Sequence, residues 1–291
     1  MKDNYLQLNY HMRYQWLLFK TAIMFFTRIP VGQLPYAQSY LQASARYFSW
    51  VGILIGLFGA MILLIASWLF SAPLAILLSM IATILLTGAF HEDGFADCCD
   101  AFGGGYTKDK ILTIMKDSRL GTYGVVGLIL ILSLKFLLLH ELMHFFSIEL
   151  VAALLVAAHT NSRFWATNIM QQLPYVQDID SSKSKPLADR VLTNLEMLVL
   201  LLGVILPLIG VFVWFSVSNA AVAPIPLSPR FFLWLAGFMV LVQLPSIILQ
   251  RYAASYFKKW IGGYTGDCLG ATQQVCEIAF YLGCLCLWKF I

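Results

Sequence analysis

Between His91 and Gly124 the chain reads HEDGFADCCDAFGGGYTKDKILTIMKDSRLGTYG. This stretch gathers Glu92, Asp93, Asp97, Asp100, Asp109 and Asp117 with Lys108, Lys110, Lys116 and Arg119, in a protein of which only 12% is charged. Asp93, Asp97 and Asp100 stand at i, i+4 and i+7, so at ~100° per residue they fall within about 60° of one another on one helical face. Carboxylates crowded on one stripe repel unless a cation neutralises them. An all-oxygen ligand set suits hard divalent ions, Mg²⁺ or Mn²⁺, and such ions commonly bring phosphate oxygens with them. Gly94, Gly103, Gly104 and Gly105 would let a phosphate-bearing ligand come close to the backbone. The bland alternative is a solvated acidic loop; the direct junction with an apolar span argues against it.

Further candidates lie downstream. Asp117 sits beside Lys116 and Arg119, as a metal ligand or general base with two cations for phosphate oxygens, or as part of a plain juxtamembrane charge cluster. The segment Gly262 to Ala271 is a second glycine cluster, and Asp267 within it reads as phosphate- or metal-facing. Glu277 lies one turn inside an apolar run, and Arg163, with His159 and Asn161, ends another; ionisable groups at membrane depth are functional candidates. A competing pattern is His140-Glu141-Leu142-Met143-His144, the H-E-x-x-H arrangement of zinc proteases. It has no evident third ligand on its side of the membrane.

The elements that must position these groups are apolar helices. Hydrophobic residues make up 60% of the chain and the mean hydropathy is +0.77. Continuous apolar runs without strand alternation exclude a barrel and predict an all-α, polytopic transmembrane helix bundle forming one integral membrane domain over residues 1–291. About seven spans are expected: Phe48 to Phe70, Pro73 to Phe90, Tyr123 to Phe146, Ile148 to Trp165, Val191 to Val217, Phe231 to Leu249 and Gln273 to Ile291. Leu17 to Phe26 is left open as an additional interfacial or re-entrant helix, and Gln171 to Arg190 reads as a mobile polar loop. No signal peptide is expected. With the N-terminus inside, all but a few of the 19 Lys and Arg residues fall on the cytoplasmic side, together with both motif clusters. Cys98, Cys99 and Cys268 then face a reducing compartment, Cys276, Cys284 and Cys286 lie in the last helix, and no disulfide is expected. The bilayer is the expected partner; nothing calls for nucleic acid, and self-association is left open.

The motifs together resemble the cobalamin synthase family, the adenosylcobinamide-GDP ribazoletransferases, which are similar in architecture to CDP-alcohol phosphotransferases. The resemblance rests on Thr87-Gly88 leading into His91-x-Asp93-Gly94-x-Ala96-Asp97-x-x-Asp100, on Ile114-Met115-Lys116-Asp117-Ser118-Arg119-x-Gly121, and on Gly262-Gly263-x-Thr265-Gly266-Asp267-x-Leu269-Gly270-Ala271 with Glu277 after it. Phe26-Thr27-Arg28-Ile29-Pro30 adds to it. Ala89 and Ala101 stand where the family often has glycine, and Glu92 where it usually has an apolar residue. The resemblance implies a multi-pass enzyme of the cell inner membrane, its site facing the cytoplasm, that joins adenosylcobinamide-GDP to α-ribazole or its 5′-phosphate and releases GMP. It implies Mg²⁺ or Mn²⁺ on Asp93, Asp97 and Asp100, a catalytic set of Asp117, Asp267, Lys116 and Arg119 in which either aspartate is the base, and ligand contacts from Gly94, Gly263, Thr265 and Arg163. The alternative is an intramembrane zinc protease using His140, Glu141 and His144.

Overall fold

A computed structural model describes residues 2–35, 37–177, 190–220 and 237–288. The described chain is helical almost throughout. In order come α1 (Lys2–Phe26), α2 (Gln38–Ser44), a 3₁₀ turn (Ala45–Tyr47) that leads straight into α3 (Phe48–Leu69), α4 (Ala72–Thr87), α5 (Phe90–Gly104), α6 (Lys108–Met115), α7 (Thr122–Phe145), α8 (Ile148–Gln172), α9 (Asn194–Ala220), α10 (Leu244–Ile261) and α11 (Gly266–Trp288). Cys98, Cys99, Cys268, Cys276, Cys284 and Cys286 are all free thiols.

The expected bundle is present, but its spans are distributed differently. Among the described residues, Gln38–Leu69, Thr122–Phe145 and Asn194–Trp214 are each long and apolar enough to cross a membrane, and α4 with α5 would add a fourth if taken as one bent span. Helices α8 and α11 fall short on hydropathy although they are as long as their neighbours, because each carries polar residues that face other helices rather than lipid. The start of the expected sixth span, 231–236, and loop positions 178–189 lie outside the described residues. The run Leu17 to Phe26 is the second half of the 25-residue α1, which packs Leu18, Ala22 and Phe26 inward while Met12, Trp16 and Met24 stay exposed.

The tight hairpin expected between α3 and α4 is confirmed. Phe70 and Ser71 are extended, and Pro73 enters the first turn of α4, where its missing N–H costs nothing. The other end of α4 departs from the expected span to Phe90. The helix stops at Thr87, Gly88 and Ala89 both adopt the left-handed conformation, and α5 leaves at 88° to α4. Helix α5 therefore runs across the end of the bundle instead of through it. Arg28 lies over this corner: its backbone N–H donates to the Leu86 carbonyl at 2.8 Å, and a Cβ on Gly88 would come 2.5 Å from its Nε. At φ 57° Ala89 sits where a Cβ is disfavoured by roughly 1–2 kcal/mol. Ala89→Gly is expected to stabilise the protein by about 1 kcal/mol, seen as slower thermal inactivation in detergent; unchanged inactivation would show that the corner carries no such strain.

Helix α8 is the hub. Its closest partner is α3, where Gly52 and Gly56, one turn apart, let the two backbones meet: a Cβ on Gly52 would come 2.5 Å from the His159 carbonyl oxygen, and one on Gly56 2.6 Å from the Val156 Cα. Small residues at such spacing are how membrane helices gain packing contacts that lipid does not supply. Two apolar clusters form the core. One, around Leu63, Ile76, Leu139, Leu142 and Leu154, lies toward the α3–α4 hairpin. The other, around Phe26, Phe48, Ile111, Ile169, Phe257 and Tyr264, joins α1, α5, α6 and α10 at the opposite end. Between them along α8 and α11 lie the polar residues that make the site.

Candidate active site

Helix α5 carries the acidic stripe, as the spacing predicts, and α11 supplies its partner. Gly94 and Gly270 let these two helices touch: a Cβ on Gly94 would come 3.0 Å from the Asp267 Cα, and one on Gly270 3.1 Å from the His91 carbonyl oxygen. This contact brings Asp267 beside the stripe. Burial, and then the carboxylates of Asp267, Asp93 and Asp100, push the Asp97 carboxyl up to about 7. Burial likewise pushes Asp267 up to about 6, with Asp93 adding to the effect and hydrogen bonds from its own backbone N–H and from Thr265 opposing it. Negative charge is thus concentrated where α5 meets the first turn of α11.

The members of the stripe are not equivalent. Asp100 is buried, and both its oxygens accept backbone hydrogen bonds, Oδ2 from Gly121 at 2.7 Å and Oδ1 from Gly124 at 2.8 Å. It satisfies the otherwise orphaned donors at the start of α7. Asp93 is exposed and Asp97 half-buried, both open to a ligand. As the side chains stand, no three His, Cys, Asp or Glu groups among the described residues are close enough to share a metal ion.

The remaining sequence candidates divide between this seam and structural tasks. Asp117 and Arg119 form a solvent-facing fork, with Arg119 Nε 2.9 Å from Oδ1 and Nη2 2.6 Å from Oδ2, which holds the Asp117 carboxyl down to about 2. Lys116 closes α6 just before it. Gly263 is pressed against the Pro174 carbonyl, where Tyr264 N–H donates to Pro174 at 2.9 Å and Val176 N–H donates to Tyr264 at 3.0 Å. The beginning of the polar loop is therefore tied to the glycine turn. Thr265 is fully buried, and its hydroxyl accepts the Cys268 N–H at 3.3 Å as the N-cap of α11. Gly94 serves the helix contact. Arg163 is buried on α8 and donates to the His159 carbonyl at 2.8 Å.

Glu277 is the centre of a buried network. Lys135 Nζ lies 2.6 Å from its Oε1, His159 Nδ1 3.8 Å from its Oε2, Gln273 donates to it at 2.9 Å and Tyr281 at 3.3 Å. Gln274 extends the network to Glu92 at 3.0 Å. The sequence signal for this pair is one cation and one anion, Lys135 and Glu277, each deep inside an apolar helix. His140 and His144 pack edge to face at 4.7 Å near the far end of α7, away from this network, and among the described residues no third ligand joins them.

The sequence model of the family described as Cobalamin-5-phosphate synthase matches residues 18–285. Curated relatives carrying the name Adenosylcobinamide-GDP ribazoletransferase include one from Vibrio parahaemolyticus, 38% identical over 286 residues, covering 96% of each chain. Another, from Shewanella frigidimarina, is 44% identical over 268 residues, covering 91% of this chain and 92% of its own. A third, from Leptospira interrogans, is 40% identical over 282 residues, covering 95% of this chain and 98% of its own. No solved structure matches. Agreement of this extent and identity along the whole length shows that the chain belongs to the cobalamin-5-phosphate synthase family.

Proposed function

We propose that this membrane enzyme transfers the cobinamide phosphate of adenosylcobinamide-GDP to α-ribazole or its 5′-phosphate, with GMP as the other product. The observation that carries the reading is the meeting of Asp97 and Asp267 across the Gly94–Gly270 contact, which joins two separate sequence motifs into one acidic seam. The chemistry is displacement at phosphorus. A ribazole hydroxyl oxygen bonds to the phosphorus attached to cobinamide, the bond from that phosphorus to the GMP phosphate oxygen breaks, and the hydroxyl proton must find a base. Asp267 fits that role better than Asp117: its carboxyl is raised toward neutrality, whereas the Arg119 fork makes Asp117 a weak base.

Crowded carboxylates fit a hard divalent cation, which would relieve their mutual repulsion. Asp93 and Asp97 would hold Mg²⁺ or Mn²⁺, with Asp100 fixing the start of α7 beside them. When bound, the ion would neutralise diphosphate charge and the charge that develops on the departing phosphate. The Lys and Arg distribution supports an inner-membrane location with this end of the bundle in the cytoplasm. The test uses purified protein with both substrates, with Mg²⁺ or with EDTA, followed for cobalamin and GMP. Product with Mg²⁺ and none with EDTA is expected; no product in either condition ends the reading.

A further inference from the structure

Between helices α10 and α11 lies an apolar groove of about 230 Å³. It uses a different face of α11 from the acidic seam: Asp267 and Gly270 meet α5, whereas Ala271, Thr272 and Val275 line the groove. On the α11 side the polar groups are engaged internally. The Thr272 hydroxyl donates to the Cys268 carbonyl at 2.7 Å and the Cys276 thiol to the Ser246 carbonyl at 3.7 Å, which leaves that wall apolar to an occupant. The α10 wall is aromatic. Tyr252 and Tyr256 line it one turn apart, with ring centres 6.0 Å apart, and Trp260 continues the row a turn later, 6.1 Å from Tyr256. Neither tyrosine hydroxyl has a hydrogen-bond partner among the described residues. Ile248 and Tyr252, 64% and 66% exposed, lead from the groove onto the outside of the bundle. Charge along α10 is all of one sign. Arg251, Lys258 and Lys259 are exposed, no acid occurs from Leu244 to Ile261, and none of the three cations makes an ion pair among the described residues. The Lys259 Nζ lies 5.5 Å from the Trp260 ring centre, at the end of the aromatic row.

We infer that this groove binds one acyl chain of an anionic phospholipid, whose phosphate is held at Lys259 beside Trp260. Each part of that molecule has its counterpart. The apolar wall between Leu249 and Val275 takes the chain. Tyrosine and tryptophan favour the headgroup level of a bilayer, where the ring is buried and the polar tip is wet, so the row Tyr252, Tyr256 and Trp260 marks the depth at which the chain meets its headgroup. Arg251, Lys258 and Lys259 supply the charge, since lysine and arginine near the membrane surface attract anionic headgroups additively. A zwitterionic lipid would bring its own ammonium to an end of α10 that offers cations and no acid. A partner helix, about 10 Å across with its side chains, is too wide for the space. The lipid so held is in contact with α10 and α11 together, unlike one that merely covers the exposed face of a single helix.

The test uses the unmodified full chain in phosphatidylcholine nanodiscs doped with a phosphatidylglycerol that carries a diazirine in one acyl chain. Irradiation is expected to label the peptides that contain Leu249 to Phe257 and Ala271 to Cys276. Exchanging part of the phosphatidylcholine for unlabelled phosphatidylglycerol should lower this labelling about fivefold or more, and the same exchange for zwitterionic phosphatidylethanolamine should leave it nearly unchanged. That comparison needs no variant to fold. Ala253→Phe, which fills the groove from the α10 side, should abolish the labelling of both peptides. Lys258→Gln combined with Lys259→Gln should retain the labelling and erase the difference between the two competing lipids. Equal suppression by both lipids in the unmodified protein overturns the assignment, because the contact is then that of any lipid around the bundle. Labelling confined to other helices, or unchanged in Ala253→Phe, overturns it as well. Protection of the groove by adenosylcobinamide-GDP would give it to the substrate, and protection by inorganic phosphate alone would leave an anion site without a lipid; either result ends the lipid assignment.

Discussion

Asp97→Asn is expected to lower the rate of GMP release by about 10³-fold while the protein still inserts and purifies as a folded membrane protein. The magnitude corresponds to roughly 4 kcal/mol of lost transition-state stabilisation, the scale of removing a ligand from an ion that neutralises a transferring phosphate. Asparagine keeps the shape of the side chain and removes its charge, so helix α5 and its glycine contact with α11 are unaffected. The same site predicts a pH effect. The Asp97 carboxyl, held up to about 7 by burial and by Asp267, Asp93 and Asp100, must lose its proton to ligate a cation. The Mg²⁺ concentration for half-maximal activity should therefore rise as the pH falls below about 7. Near-normal turnover by the variant, or a Mg²⁺ requirement that does not change with pH, would remove Asp97 from the metal site.

Glu277→Ala is expected to be the most damaging single change to stability. The carboxylate is the counter-charge for Lys135 at 2.6 Å and a close neighbour of His159 and Arg163, all buried. Removing one partner of a buried ion pair costs about 3–5 kcal/mol because the other charge is left without compensation. Thermal inactivation should shift down by roughly 10 °C on that scale. Adding Lys135→Met should recover part of the loss, since the stranded ammonium is then gone, and the double-mutant cycle measures the coupling directly. If Glu277→Ala kept its thermal stability and lost only GMP release, the residue would belong to the chemistry instead of to the scaffold.

Much of this arrangement was legible in the order of residues, and where it was not the reason is physical. Asp93, Asp97 and Asp100 could be placed on one face because helical periodicity is local. That Asp100 is occupied by Gly121 and Gly124 could not be read, because it depends on how α5 and α7 meet through the intervening α6. Gly94 and Gly270 stand out in the sequence as small residues near acids; that they also form the contact of α5 with α11 depends on packing that no local pattern encodes. The sequence pattern points Thr265 and Gly263 toward a ligand, and in the structure the hydroxyl also caps α11 and the glycine also admits the Pro174 carbonyl, local tasks that depend on the packing of that turn. Hydropathy located α3, α7 and α9 because their side chains meet lipid. It overran the far end of α4, where two left-handed residues turn the chain, and it placed spans over α8 and α11 without showing that their polar faces are hidden inside the bundle.

Those hidden polar faces bear on how the protein is made. His159, Thr160, Asn161, Ser162 and Arg163 follow one another on α8 and are all buried, and Gln273, Gln274 and Glu277 do the same on α11. A single charged residue near the middle of an isolated helix opposes translocon-mediated insertion by about 2.5–3.5 kcal/mol. Each helix therefore inserts on its own less readily than α3, α7 or α9. Each gains from partners already in the bilayer, α8 from the glycines of α3 and α11 from Lys135 of α7. The groups that form the site thus also fix an order of biogenesis, in which the carboxy-terminal helix completes the polar interior last.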